Sequence, residues 1–290
     1  MSRASGTRNA LAGVGFVLVG AVFIQWSAAV VAPSFARIGP SASSAWRFLL
    51  GALVLLAVTR PRLGAWTRHQ WIGALALGTS AAFMNQAFYQ AIARIPLGSA
   101  VAIEYLGPFL VAALGKRSWR HLMFVALAAL GVLALTRPGG GITLVGALYA
   151  GASGLGWAAY AFSSHRVGGS TTGFGGLAVS MMFSALFTLP LALGRASVVL
   201  GHPLVLGRLF IVALMAIVIG FGAELQSLRR LTPTVVSVLL SLDPAVAFGV
   251  GWLLLDQHVT RWDLVGLVCV VCAGVGVTYD VAGSDLGAPR

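Results

Sequence analysis

Apolar runs of membrane-spanning length recur along nearly all of this 290-residue chain, and that spacing restricts its fold more than any other feature. A segment in hydrocarbon has no water to hydrogen-bond its backbone, so it must satisfy its own N–H and C=O groups, as a helix does. About 20 apolar residues make one crossing. Ten runs can be marked: 10–32, 41–58, 71–92, 98–115, 122–136, 143–164, 174–193, 209–228, 234–255 and 264–281. Hydrophobic residues make up 58% of the chain and charged residues 9%, where soluble domains carry about 25% charged residues. The expectation is an all-α integral membrane protein with ten transmembrane helices. The first run exceeds the apolar core of a cleaved signal peptide, about 7 to 15 residues, so it reads as an uncleaved first helix.

Two of the ten runs are interrupted by the same residue types. In 98–115, Glu104 and Pro108 stand near the middle. Proline lacks an N–H and clashes with the carbonyl four residues back, here that of Glu104 itself. In 234–255, Asp243 and Pro244 repeat the device. An acid at the bilayer centre costs roughly 2.5 to 3.5 kcal/mol on insertion scales, and interrupted helices in corresponding positions of two halves point to a transport site. Other polar side chains join them. Arg47 lies about two turns into its helix and either snorkels to the interface or turns inward to meet a carboxylate. Run 71–92 carries Asn85 with Tyr89 and Gln86 with Gln90, two i,i+4 pairs on adjoining faces, and Glu224 and Gln226 close the run 209–228.

Several other functions are excluded. The net charge of +12 does not indicate nucleic acid, because the basic residues stand in ones, twos and threes at the ends of apolar runs, with no basic stripe. Cys269 and Cys272 form a CxxC inside the apolar run 264–277, where nothing would hold a thiolate, so packing is the reading and no metal or disulfide follows. Gly151-Ala152-Ser153-Gly154 superficially matches the GxSG of intramembrane serine proteases. A catalytic serine needs a histidine base, yet His69, His121, His165, His202 and His258 all sit in or beside loops. Small residues at that spacing serve close helix packing. Neither an enzyme nor a cofactor is expected; an intramembrane enzyme or a non-transporting membrane scaffold is the different-class alternative.

Arg137-Pro138-Gly139-Gly140-Gly141 breaks the chain near its midpoint. It divides a first repeat, 1–136, from a linker, 137–142, a second repeat, 143–282, and a polar tail, 283–290. A shift of 136 residues carries Gln90 to Gln226, Arg94 to Arg230 and Pro108 to Pro244, and a shift of 131 carries Gly20 to Gly151, Ala21 to Ala152, Trp26 to Trp157 and Ala28 to Ala159. Five helices per half is an odd number, so the second half enters the membrane from the opposite side and the two repeats are inverted. Twelve of the 19 basic residues (Arg3, Arg8, Arg60, Arg62, Arg68, Lys116, Arg117, Arg120, Arg166, Arg229, Arg230 and Arg290) fall on the side of the amino terminus. By the positive-inside rule both termini are expected in the cytoplasm.

The stretches RIPLGSAVAIEYLGP (94–108), GWAAY (156–160) and LRRLTPTVVSVLLSLDPA (228–245) resemble the ten-helix EamA branch of the drug/metabolite transporter superfamily, and within it the bacterial threonine/homoserine exporters. Relatives usually carry glutamate where this chain has Asp243, and Leu-Gly-Glu where it reads Leu254-Leu255-Asp256. The resemblance implies a basket of helices one to four and six to nine around a central cavity, working by alternating access in the bacterial inner membrane. It implies a secondary transporter for small amino acids, with proton antiport as the drive; the alternative is an EamA-type exporter of another small metabolite or drug. A zwitterionic substrate needs an anion for its ammonium and a cation or helix terminus for its carboxylate. The candidate substrate site is Trp26, Arg47, Asn85, Gln86, Tyr89, Glu104, Trp157, Tyr160, Glu224 and Asp243, with Glu104 and Asp243 as proton-coupling acids and Pro108 and Pro244 as the helix breaks. The expected partners are a small molecule, protons and the lipid bilayer.

Overall fold

The computed structural model describes residues 2–107, 119–135, 141–168, 174–231 and 233–286. Among them every regular element is helical. The principal helices are α1 (Ser2–Val31), α2 (Phe35–Thr59), α3 (Arg68–Ile92), α4 (Leu97–Glu104), α5 (Trp119–Leu135), α6 (Leu144–Gly168) and α7 (Gly175–Leu193). Next come α8, made of Pro203–Ala213, a wide-turn π segment Leu214–Gly220 and Phe221–Leu228; α9, made of Pro233–Leu240 and Asp243–Leu255; and α10 (Arg261–Leu286). Four stretches, Leu11–Thr59, Gly175–Leu193, Pro203–Ser227 and Val238–Leu255, are long and apolar enough to cross a membrane. The first is two passes, because Gly39 at φ 79°, ψ 162° breaks it and Pro40 opens the next turn. Only glycine adopts that backbone conformation readily, and proline suits the first turn of a helix.

Local chemistry sets the helix ends. Thr67 caps α3 in a reciprocal box: its side chain accepts from the Gln70 N–H, and the Gln70 side chain accepts from the Thr67 N–H. Thr260 and Asp263 exchange the same pair of bonds at the start of α10, which runs to Leu286 and so extends past residue 283, where the sequence suggested a tail. The interrupted α9 stops at Leu240 and restarts at Asp243, with Pro244 in the new first turn. Helix α4 ends at Glu104, before the proline expected to break it; Pro108 itself lies outside the described residues.

The main packing pairs are α3 with α6 and α7, α2 with α7 and α8, α1 with α8 and α9, α4 with α6 and α9, and α5 with α10. Small residues let these backbones approach, as expected where lipid offers no hydrophobic drive to helix association. A Cβ on Gly154 would stand 2.3 Å from the Glu104 carbonyl oxygen, and one on Gly107 would stand 2.1 Å from Gly154 itself. Gly107, just past the end of α4, and Gly154 of α6 therefore meet glycine to glycine. On α3, the Gly78 carbonyl accepts from the Ser184 hydroxyl of α7 at 2.8 Å. Large apolar side chains such as Leu144, Leu204 and Trp252 remain on the outside, where lipid covers them.

Candidate functional site

Helix α1 turns one stripe of small and apolar residues, Val17, Gly20, Ala21, Ile24 and Ala28, toward a cavity of about 80 Å³, and Gln25 stands in that stripe as its single amide. Arg47 of α2, Met84, Asn85 and Phe88 of α3, and Glu104 with Tyr105 at the end of α4 form further walls. Trp157 and Tyr160 of α6, Phe221, Glu224 and Ser227 of α8, and Leu240 and Asp243 at the α9 break complete it. The volume suits roughly five to eight water-sized atoms. Three carboxylates and one guanidinium, carried on four different helices, thus converge on one small space.

The two i,i+4 pairs of α3 have separate tasks. Arg47 is only 3% exposed, so it does not snorkel. A terminal nitrogen donates to Asn85 Oδ1, and the Asn85 amide donates in turn to the Ala81 carbonyl at 2.9 Å. The guanidinium centre lies 4.9 Å from the Tyr89 ring and 5.3 Å from that of Phe48, so two π faces support the buried charge. Its Nε is buried without a partner among the described residues. Gln86 and Gln90 instead tie α3 to the start of the re-formed α2, donating to the Ser41 carbonyl at 3.2 Å and the Ser41 hydroxyl at 2.7 Å.

The helix breaks supply the acids. Ser153, the serine of the protease-like motif, directs its hydroxyl to the Glu104 carboxylate and to the Met84 carbonyl at 2.9 Å, so it serves helix packing and orients an acid. Pro244 deprives the Leu240 carbonyl of its helical donor, and the Tyr105 hydroxyl donates to that oxygen at 2.5 Å from across the cavity wall. The Tyr105 ring meets Trp157 edge-on, with centroids 4.3 Å apart. Asp243 has Gln25 and Tyr105 as side-chain neighbours, and its Oδ1 is buried without a partner among the described residues. It lies within electrostatic range of both Glu104 and Glu224. Glu224 itself sits in the first turn after the π segment of α8, the kind of distortion that re-aims side chains at functional sites.

Of the residues expected at the site, Arg47, Asn85, Glu104, Trp157, Tyr160, Glu224 and Asp243 line the cavity together. The other three stand elsewhere. Trp26 is 45% exposed on the outer side of α1, because successive helical residues face about 100° apart and its neighbour Gln25 takes the inner side. Gln86 is engaged with α2, and Tyr89 is fully buried beneath Arg47. Sequence reasoning missed Gln25, Tyr105 and Ser153. A lone amide in the middle of an apolar run was the signal available for Gln25.

A helical bundle that spans a membrane and closes around a small charged cavity defines a membrane transport protein. Residues 144–279 match the EamA-like transporter family. Over 268 residues the chain is 31% identical to the threonine/homoserine exporter RhtA of Escherichia coli (strain K12), covering 91% of this chain and 90% of that protein. It is 30% identical, over the same shares, to RhtA of Salmonella typhimurium (strain SL1344). A solved crystal structure matches with a TM-score of 0.58 at 19% identity, covering 94% of this chain and 99% of that one, which is a likeness of fold. The chain belongs to the EamA-like transporter family.

Proposed function

We propose that this protein exports small amino acids of the threonine and homoserine kind across a bacterial inner membrane by alternating access, in exchange for protons. The observation that carries the proposal is the convergence of Glu104, Glu224 and Asp243 with Arg47 on one small cavity. Those acids offer anions to a substrate ammonium, and Arg47, with Nε lacking a partner, offers a donor to its carboxylate. The relatives are named for export of threonine and homoserine, which supports that substrate class. Three acids in one cavity against one base leave room for a cation or a proton among them. In the inward-facing state the ionised Glu104 holds the ammonium; a proton from outside then displaces the substrate and neutralises the acid for its return through hydrocarbon.

Two inverted five-helix repeats, hinged at the interrupted helices, provide the motion. The helix pairs named above support this reading, because exchanging each helix for the one five places along turns α3–α6 into α8–α1, α3–α7 into α8–α2 and α4–α6 into α9–α1, and returns α2–α7, α4–α9 and α5–α10 to themselves, although α9–α10 has only a small counterpart in α4–α5 among the described residues. Matching local devices support it too. Arg94 donates to the Gln90 carbonyl and side chain at 2.7 and 2.5 Å, and Arg230 to the Gln226 carbonyl and side chain at 2.9 and 2.5 Å. Arg94 also rests on Tyr149 of α6, and Arg230 on Phe16 of α1, the helix that corresponds to α6. Both termini then face the cytoplasm, as the loop charges require.

The test is transport of L-threonine and L-homoserine by proteoliposomes with and without an imposed pH gradient, with nucleosides and cationic drugs as comparators. Accumulation that follows the gradient is the expected result, and Glu104→Gln, which mimics the protonated acid, should abolish it and weaken substrate binding. Transport of nucleosides or drugs alone would overturn the amino-acid assignment. A Glu104→Gln protein that still concentrates substrate would transfer the coupling role to Asp243 or Glu224.

A further inference from the structure

The cavity holds three buried polar atoms that lack a partner among the described residues: Arg47 Nε, Asp243 Oδ1 and Gln25 Oε1. Several of the polar groups around them are engaged. The Asn85 oxygen accepts from Arg47 and its amide donates to Ala81; Ser153 donates to Glu104 and Met84; the Tyr105 hydroxyl donates to the Leu240 carbonyl; and Ser227 donates to the Glu224 carbonyl at 2.7 Å. The three vacancies differ in kind: a cationic donor, an anionic acceptor and a neutral acceptor. The ammonium and carboxylate of any amino acid match the acids and Arg47. A neutral acceptor beside them suits a neutral donor on the substrate, and a side-chain hydroxyl is the smallest group that provides one.

We infer that Gln25 is the residue that reads the substrate's side-chain hydroxyl, accepting its proton at Oε1, and that it thereby sets the preference for hydroxy amino acids over their aliphatic isosteres. This assignment rests on the amino-acid reading proposed above. Its geometry follows from the neighbours. Gln25 is 3% exposed and has the Asp243 carboxylate beside it. A carboxylate only accepts hydrogen bonds, so the amide presents its NH2 toward Asp243 and its oxygen away from it. The same contact places the hydroxyl reader next to one of the acids that offer an anion to the ammonium, as the short separation of ammonium and hydroxyl in threonine or homoserine demands. The surrounding stripe of α1 is apolar and small, so no other group of that helix can satisfy Oε1. An isostere with a methyl in place of the hydroxyl would leave that oxygen buried and unpaired, which corresponds to a loss of roughly ten- to a hundredfold.

The experiment compares proteoliposome transport of L-threonine with its isostere L-valine, and of L-homoserine with its isostere L-norvaline, in the wild type and in Gln25→Met and Gln25→Leu. The wild type should favour each hydroxy amino acid by at least about tenfold. Both variants should bring the ratios close to one, by losing more threonine and homoserine transport than valine and norvaline transport. Unchanged ratios in active variants would overturn the assignment. So would variants that reach the membrane but move none of the four amino acids, because Gln25 would then serve only to hold Asp243. A wild type that moves none of the four would instead remove the amino-acid reading on which the assignment rests. A wild type that transports both members of each pair equally well would leave that reading standing and overturn the role of Gln25 alone.

Discussion

Replacing Tyr105 by phenylalanine tests how the bundle tolerates a broken helix in lipid. The substitution keeps the ring against Trp157 and removes only the hydroxyl that donates to the Leu240 carbonyl. That carbonyl is free because Pro244, four residues on, has no N–H. A buried carbonyl left without a donor costs about 1 to 3 kcal/mol in soluble proteins, whereas hydrogen bonds inside membranes average about 0.6 kcal/mol and reach about 1.7. The expected loss for Tyr105→Phe is therefore about 1 kcal/mol, read as a fall of about 2 °C in melting temperature for a chain of this size, at a fixed scan rate in one detergent. Pro244→Ala restores an N–H to the Leu240 carbonyl, so in that background the hydroxyl should contribute clearly less. The hydroxyl also neighbours Asp243, and that share of the loss should remain. Strict additivity of the two substitutions, to within about 0.3 kcal/mol, would refute the claim that Tyr105 replaces the donor that proline removed.

Arg47→Ala should reduce amino-acid export by ten- to a hundredfold while the protein still inserts, and Arg47→Lys should rescue poorly because a point charge cannot engage Asn85 and a substrate carboxylate together; full export by the alanine variant would leave Arg47 a structural residue. Gly154→Ala places a Cβ against the backbone of Glu104, and neither partner can yield by turning a side chain. A destabilisation of about 1 to 3 kcal/mol with slowed export is expected, and a variant with wild-type melting and rate would show that α4 and α6 are not in that contact. Cysteine labelling in a background without Cys269 and Cys272 should find positions 62 and 230 both cytoplasmic, and opposite answers at the two would refute the inverted arrangement.

How much was legible in the sequence varies with the kind of interaction. The all-helical architecture and the interruption of α9 at Asp243-Pro244 could be read directly, because backbone hydrogen bonding in lipid depends on short-range properties that the chain displays. The i,i+4 pairing of Asn85 with Tyr89 also survives, with Arg47 held by one and stacked on the other. What the sequence does not display is which face of a uniformly apolar helix turns inward. Trp26 and Gln25 are neighbours in α1, and the repeat favoured the tryptophan because it maps onto Trp157. Packing decided otherwise, since Gly20 of α1 lies against the Gly220 carbonyl of α8 and that close approach fixes the rotation of α1. Nor could Tyr105 be assigned, because its partner is a backbone oxygen 135 residues away.

Under the proposed repeat, the departures from it are where the chemistry lies. Glu104 and Leu240 stand 136 residues apart, at equivalent positions, and each precedes its proline by four. Both carbonyls lose a helical donor by the same rule, yet one is closed off by the bare Cα of Gly154 and the other by a phenol from the opposite half. The side chains differ as well: the first position carries an acid and the second a leucine, while Asp243 corresponds to Gly107. A perfectly repeated cavity would present the same groups from both halves and could not distinguish the ends of a zwitterion. Here Arg47 is held by Asn85 in the first half, while Asp243 and Glu224 come from the second. Duplication can supply two hinges that open in turn, but a substrate with unlike ends requires the halves to diverge at the positions that touch it. Gln25, with an oxygen left over after the charged groups are matched, is such a divergence, since its counterpart at a shift of 131 is Gly156, which gives its space to the Met84 backbone.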